Sequence, residues 1–182
     1  MESKLQIISG QYRGRKLRLP PNARPTQNRA RIALFNMLES LGVWPAHTWD
    51  AFAGSGAFGL ECLSRWSESN VVFTDINPAT VRENVMALNI GARASVVAAD
   101  AMSVIGRYGA TSDLIFVDPP YANSAIGAEF VRRLGGVVVA GTIVVWEQDT
   151  PNAVLPDSDA WDILRDKQYG RARFIIMRRR GE

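Results

Sequence analysis

The residues with the clearest chemical potential are Asp118-Pro119-Pro120-Tyr121, which follow the apolar run Leu114-Ile115-Phe116-Val117. The run is typical of a buried strand, so the tetrapeptide is predicted at its carboxyl end, where open α/β sheets bind ligands. The tetrapeptide offers a carboxylate, a carbonyl between two prolines of fixed φ, and an aromatic ring. These groups suit the binding of a planar base that carries an exocyclic amine. The amine would donate to Asp118 and to the Pro119 carbonyl, with Tyr121 stacked on the ring. A plain Pro-Pro turn in which Asp118 is a turn former is the alternative.

A second candidate site is a glycine turn further upstream, in residues 49–59. Gly54 and Gly56 let the backbone pass close to a ligand, and the start of the following helix favours an anionic group. Asp75 and Asp100 each follow a later strand, where the first suits a ribose diol and the second the amino edge of adenine. The candidate cofactor-binding residues are Asp50, Phe52, Ala53, Gly54, Gly56, Asp75, Ile76, Asp100, Ala101 and Asp118.

The same glycines also satisfy a dinucleotide fingerprint, because Gly54, Gly56 and Gly59 are followed by Asp75 nineteen residues after Gly56. A dinucleotide domain usually needs a second mononucleotide-binding half or a catalytic domain, and residues beyond 150 leave room for neither. Hydride transfer would also leave residues 118–121 without a role. The pattern therefore favours methyl transfer over hydride transfer.

The order of predicted elements indicates the fold class. Strands are predicted near 47–52, 70–75, 94–98, 113–118, 141–146, 160–167 and 171–179, and helices near 57–66, 78–90, 101–107 and 124–134. Alternating strands and helices imply a parallel sheet, whereas the last two strands, joined by a short turn, must be antiparallel. We therefore predict a Rossmann-like α/β fold of the class I methyltransferase type, with a mostly parallel seven-stranded sheet and a terminal antiparallel hairpin.

A small basic extension precedes this domain. Residues 5–19 alternate in the manner of a short β-hairpin, and a helix is predicted from Thr26, an acceptable N-cap, to Gly42. We expect residues 1–25 to form an N-terminal basic hairpin extension and residues 26–182 to form the methyltransferase domain.

Composition narrows the class of protein. With 182 residues, 47% of them hydrophobic, the chain can bury a full core. It has no apolar run of about 18 residues and no signal-peptide pattern, so we expect a soluble, cytoplasmic protein. The single Cys62 excludes an internal disulfide framework, and with His47 as the one histidine a metal site is not expected.

Charge is concentrated at the two ends of the chain. Residues 1–31 carry eight Lys or Arg against Glu2 alone, and residues 165–182 carry seven against Asp166 and Glu182. This layout favours ends that meet a polyanion, such as a nucleic acid, and solvated tails are the alternative.

The chain resembles the RsmD-like small-subunit ribosomal RNA guanine-N2 methyltransferases of bacteria, which use S-adenosylmethionine. Four segments carry the resemblance: residues 8–17, Arg24-Pro25-Thr26 leading into residues 29–36, residues 50–65, and the more widely shared residues 118–121. It departs from the usual family pattern at Gln27-Asn28, at Ile32 and at Asp75, which is shorter than the common glutamate. The resemblance implies methylation of the exocyclic N2 amine of a guanine in 16S ribosomal RNA, free or in an assembling small subunit.

Under this interpretation Asp118, Pro119 and Tyr121 are the catalytic residues. The base is flipped out of its surroundings to reach them, and positioning supplies most of the acceleration. The candidate RNA-binding residues are Arg13, Arg15, Arg24, Thr26, Arg29, Arg31 and Tyr121. Phosphate contacts of this kind give salt-dependent affinity and little sequence information.

Two alternatives remain open from the sequence. A DNA adenine-N6 methyltransferase uses similar tetrapeptides, although no insertion here is large enough for a target-recognition region. A catalytically silent RNA-binding assembly factor on the same scaffold is the other alternative, and the intact acids and glycines argue against it. Nothing in the sequence requires more than a monomer.

Overall fold

A computed structural model describes residues 5–21, 23, 28–120, 124–157 and 159–181 of this protein. In these residues five α-helices and seven β-strands are formed. The helices are α1 (Asn28–Ser40), α2 (Ala57–Arg65), α3 (Ala79–Leu88), α4 (Ile105–Gly109) and α5 (Ser124–Leu134). The strands are β1 (His47–Asp50), β2 (Asn70–Asp75), β3 (Ala94–Ala98), β4 (Leu114–Val117), β5 (Ile143–Asp149), β6 (Trp161–Tyr169) and β7 (Ala172–Arg179).

All seven strands of the described residues form one sheet in the order β3-β2-β1-β4-β5-β7-β6. Among strands β1 to β5, neighbouring strands pair in parallel. Strand β7 lies between β5 and β6 and is antiparallel to both. The predicted Rossmann-like sheet with a terminal antiparallel hairpin is therefore confirmed. The strand order reverses between β1 and β4, which is the position where sheets of this kind leave a crevice for ligands.

Two element predictions need correction. The helix predicted near 101–107 is a 3₁₀ turn, Ala101–Val104, followed by the short helix α4. The strand predicted near 141–146 continues to Asp149, because β5 stays paired with β7 as far as the Asp149–Ala172 pair. This extension carries Glu147 to the same edge of the sheet as Asp118.

Apolar side chains cover both faces of the sheet, as a parallel sheet requires. Helices α1, α2 and α3 pack on one face, where the rings of Phe58 and Phe116 stack with centroids 4.1 Å apart. Helices α4 and α5 cover the other face around the buried indoles of Trp49 and Trp146. These two layers fix the strand ends from which the functional side chains project.

The N-terminal hairpin (residues 5–19) is present with one antiparallel bridge, Gln6–Lys16, in place of two regular strands. Its residues Leu5, Ile7 and Leu17 are buried in the same core as α1 and α2. At Gly10, where φ is 82°, a Cβ would lie 1.9 Å from the Ser64 carbonyl oxygen, so only glycine fits this contact. The hairpin therefore packs tightly on α2, whereas the proposed domain boundary at residue 25 lies outside the described residues.

None of the helices in the described parts of the chain is long and apolar enough to cross a membrane.

Candidate functional site

A cleft of about 950 Å³ opens where β1, β2, β3 and β4 end. Its size is in the range of pockets that enclose cofactors and drug-sized ligands. The predicted site residues that line it are Asp50, Phe52, Ala53, Gly54, Asp75, Ile76, Asp100, Ala101, Asp118, Pro119 and Arg31. The fold thus brings the glycine turn, the strand-end acids and the Pro-Pro turn to one cavity.

The two glycines of the turn have different roles. Gly54 has a φ of 55°, and no atom lies within 4 Å of the position that a Cβ would occupy, so its backbone is open to a ligand. Gly56, with a φ of 77°, is buried and does not line the cleft, and a Cβ there would lie 2.7 Å from Cγ2 of Val81. The expected ligand contact at Gly56 is therefore replaced by close packing of α2 on α3.

Asp75 shapes the glycine turn with its own side chain. Its Oδ2 accepts a hydrogen bond of 2.7 Å from the Gly54 N–H, and its Oδ1 accepts one of 2.8 Å from the Asn77 N–H. Asp100 caps the following 3₁₀ turn by accepting the Met102 N–H at 3.1 Å, and it is exposed. Both acids keep further lone pairs for a ligand, and the side chain of Ile76 is 82% exposed beside them.

Asp50 lies buried under the start of α2. Its Oδ2 accepts the Gly59 N–H at 3.1 Å, while its Oδ1 is buried with no hydrogen-bond donor among the described residues. Burial raises the pKa of Asp50 to about 8, the Gly59 N–H opposes this rise, and the charge of Asp75 adds to it. Asp50 Oδ1 can therefore accept one further hydrogen bond at this end of the cleft.

Asp118 follows β4 and is half-buried on the wall of the cleft. Burial and the nearby charges of Glu147 and Asp50 raise its pKa well above the ordinary value of an aspartate. The adjoining Pro119 ring is held by α5, because a Cβ on Gly127 would lie 2.9 Å from Pro119 Cγ. This close contact fixes the Pro-Pro turn against the sheet. Tyr121, the predicted stacking residue, lies outside the described residues.

Glu147 is a site residue that the sequence interpretation missed. It is 2% exposed, lines the cleft and also borders a smaller recess beside Pro119 and Pro120. The predicted strand ended one residue before it, so its place at the end of β5 was not anticipated. The apolar run Ile143–Trp146 followed by an acid, as in β4 followed by Asp118, is the signal that could have found it.

The prediction that Arg31 grips RNA phosphates is wrong. Its side chain is buried, and it donates to Glu61 Oε2 at 3.2 Å and to the Gln6 carbonyl oxygen at 3.1 Å. Arg31, Leu34 and Leu38 share the apolar face of α1, so their spacing could have indicated burial. Arg31 therefore joins α1 to the hairpin and to α2 beside the cleft.

The remaining predicted RNA-binding residues divide into two groups. Arg13, Arg15 and Arg29 are exposed, and Arg15 also donates a hydrogen bond of 2.8 Å to the Ala87 carbonyl at the end of α3. Arg24 and Thr26 lie outside the described residues. In the described part of the chain no group of His, Cys, Asp and Glu side chains forms a metal site.

Sheet order, glycine turn and cleft together define a class I methyltransferase fold. An RNA methyltransferase from Salinibacter ruber, solved with S-adenosyl-L-homocysteine, has this fold, with a TM-score of 0.64 at 16% identity. The alignment covers 87% of this chain and 95% of that one.

The chain belongs to the family described as Conserved hypothetical protein 95, the RsmD family, whose match spans residues 5–178. Ribosomal RNA small subunit methyltransferase D of Escherichia coli K12 is 33% identical to it over 98% of this chain and 91% of the relative. The solved yhhF protein of Escherichia coli has a TM-score of 0.83 at 32% identity, covering 97% of this chain and 98% of the other. The family resemblance inferred from the sequence is confirmed.

Proposed function

We propose that this chain transfers a methyl group from S-adenosylmethionine to the exocyclic N2 amine of a guanine in small-subunit ribosomal RNA. The strongest support is geometric, because Gly54 of the glycine turn and Asp118 of the Pro-Pro turn line one cleft. Membership of the RsmD family and the similarity to ribosomal RNA small subunit methyltransferase D of Escherichia coli agree with this reaction.

The residues of the cleft fit S-adenosylmethionine. This cofactor is a cation at its sulfonium and amino groups, and a cation bound beside Asp50 and Asp118 would favour the ionised forms of these acids, which burial disfavours in the free protein. The free Oδ1 of Asp50 is an acceptor for an amino group, and Gly54 offers the open backbone that a bound ligand needs. Asp75 would accept a hydrogen bond from a ribose hydroxyl, and Asp100 and Ile76 would hold the adenine.

Asp118 and Pro119 hold the target base. The lone pair of a guanine amine is delocalised into the ring, so the nitrogen is a poor nucleophile until it becomes pyramidal. Asp118 and the Pro119 carbonyl accept its two hydrogens, which stabilises that geometry and directs the lone pair into the cleft. When bound, S-adenosylmethionine would supply the electrophilic methyl carbon and leave as S-adenosylhomocysteine, and the methylated amine would release one proton to Asp118 or to water. Tyr121 is proposed to stack on the flipped base.

The exposed arginines of the hairpin and of α1 are proposed to bind RNA phosphates. Arg13 and Arg15 lie on the hairpin, and Arg29 lies on the exposed face of α1. Arg24 and Thr26 complete the proposed RNA-binding set at the connection between these two elements. Contacts of this kind position the RNA and leave the choice of base to the cleft.

Transfer of labelled methyl groups tests the reaction and the substrate together. The protein is incubated with labelled S-adenosylmethionine and with small subunits from cells that lack it, with their naked ribosomal RNA, or with duplex DNA. We expect label in a guanine of small-subunit RNA and none in DNA. Label in DNA adenine would replace this proposal with a DNA adenine-N6 methyltransferase. Failure to bind S-adenosylmethionine in a calorimetric titration would indicate a catalytically silent assembly factor.

A further inference from the structure

Glu147 is a buried acid that the proposed reaction does not use. The parallel register pairs Val117 with Trp146, so the next residues, Asp118 and Glu147, end neighbouring strands side by side. The Glu147 side chain is 2% exposed and lines the cleft with Asp118 and Pro119. Two acids thus follow one another on neighbouring strands at the place where the base is proposed to bind.

Glu147 acts electrostatically on both Asp118 and Arg31. The charge of Glu147 is, after burial, the largest cause of the raised pKa of Asp118. It also acts on Arg31, the cation on α1, where it opposes the lowering of the arginine pKa by burial. A buried acid that perturbs the catalytic carboxylate is unfavourable for stability, and such groups concentrate at functional sites.

The chemistry of guanine supplies a role for this acid. Its base edge carries the N2 amine and, next to it, the N1–H group, and all three hydrogens are donated. When Asp118 and Pro119 accept from the amine, N1–H is the next donor along that edge, and Glu147 is the adjacent acceptor on the cleft wall. Adenine has an acceptor at N1, which would face the carboxylate unfavourably.

We propose that Glu147 accepts the N1–H of the target guanine and thereby selects this base. The assignment rests on the proposed function, because it requires a guanine at the Asp118–Pro119 turn. A site built to accept a hydrogen bond from a substrate N–H rejects an analogue that lacks the donor, because the carboxylate then faces the lone pair of the unprotonated N1.

The analogue 2-aminopurine tests this assignment, because it keeps the amine but has an unprotonated N1. Small subunits are reconstituted with guanine or with 2-aminopurine at the position that the wild-type protein methylates. We expect the wild-type kcat/KM to be at least about 100-fold higher for guanine. In Glu147→Gln, whose amide donates to an unprotonated N1, the ratio falls below about 10, mainly through lower turnover of guanine.

Two further variants complete the experiment. Glu147→Asp keeps a carboxylate and should retain the preference for guanine, and Glu129→Gln, an exposed position on α5, should match the wild type. Calorimetric binding of S-adenosylmethionine reports whether each variant is folded.

Equal methylation of guanine and 2-aminopurine by the wild-type protein would overturn the role of Glu147 while leaving the methyl transfer intact. The same conclusion follows if Glu147→Gln folds and keeps the wild-type ratio. Absence of transfer to guanine by the wild-type protein would overturn the proposed function itself and this assignment with it.

Discussion

The guanidinium of Arg31 donates a hydrogen bond of 3.2 Å to the Glu61 carboxylate, and both side chains are buried. The same carboxylate accepts the N–H groups of Ile8 and Ser9 at 2.8 and 3.0 Å, and it pairs with Arg65 at 2.7 Å. One acid thus joins the hairpin, α1 and α2 beside the cleft, which Arg31 lines. This network is a structural prerequisite for the site.

Glu61→Gln should strongly destabilise the protein. The change leaves the buried Arg31 guanidinium without its charge partner, whereas Arg65 keeps an ion pair with Glu39, and breaking a buried pair in this way costs about 3–5 kcal/mol. The free energy of unfolding in urea measures the effect. The matched variant Glu129→Gln removes only exposed ion pairs with Arg132 and Arg133, which solvent screens, so it should cost far less stability than Glu61→Gln. Equal losses in the two variants would contradict a structural role for Glu61.

The rate of methyl transfer should fall at low pH because of Asp118. Protonation of this carboxyl removes the acceptor for an amine hydrogen, and its pKa is raised well above the ordinary value by burial, Glu147 and Asp50. The fall should therefore begin at a higher pH than for an ordinary aspartate.

The Glu147→Gln variant supplies the control for this pH profile. Loss of the neighbouring negative charge lowers the pKa of Asp118, so the acid limb of the rate profile should move to lower pH. Initial rates with saturating substrates, measured across the acid range, report the shift. If the acid limb of the rate profile stays at the same pH or moves to higher pH, a group other than Asp118 controls it.

Asp50 should make the stability of the protein depend on pH. Its pKa is raised to about 8 in the folded state, against an ordinary value of 3.8, so the folded state binds the extra proton. The contribution of Asp50 to the free energy of unfolding is fully present below about pH 3.8. It is lost as the pH rises towards about 8. Urea unfolding should show Asp50→Asn gaining stability relative to the wild type across this window. A constant difference would mean that Asp50 is ionised throughout.

Replacement of Arg13 and Arg15 by alanine should weaken RNA binding and flatten its salt dependence. Each lost phosphate contact reduces the slope of log affinity against log salt by about 0.7–0.9. Filter binding of small-subunit RNA between low and moderate salt measures the slope. Arg107→Ala is the control, because this exposed arginine lies on α4, over the opposite face of the sheet. A slope that changes only in the control would place the RNA on that opposite face.

Much of the site follows from local sequence patterns. Apolar runs followed by an acid or a glycine turn predicted where β1, β2, β3 and β4 end. These ends meet in the cleft because the carboxyl ends of parallel strands lie at one edge of the sheet. Glu147 was missed because only the pairing of β5 with β7, distant in sequence, extends the strand to it. Arg31 was misassigned because its charge was weighed above its position on the apolar face of α1.

Methyl transfer by Asp118→Ala tests most directly whether the cleft brings the donor and the base together at this residue. Turnover of small subunits is compared with the wild type and with Asp157→Ala, an exposed control, while calorimetry follows binding of S-adenosylmethionine. We expect Asp118→Ala to lose at least about 100-fold in turnover through misplacement of the amine, with cofactor affinity kept within a few-fold. Turnover close to that of the wild type would contradict the account.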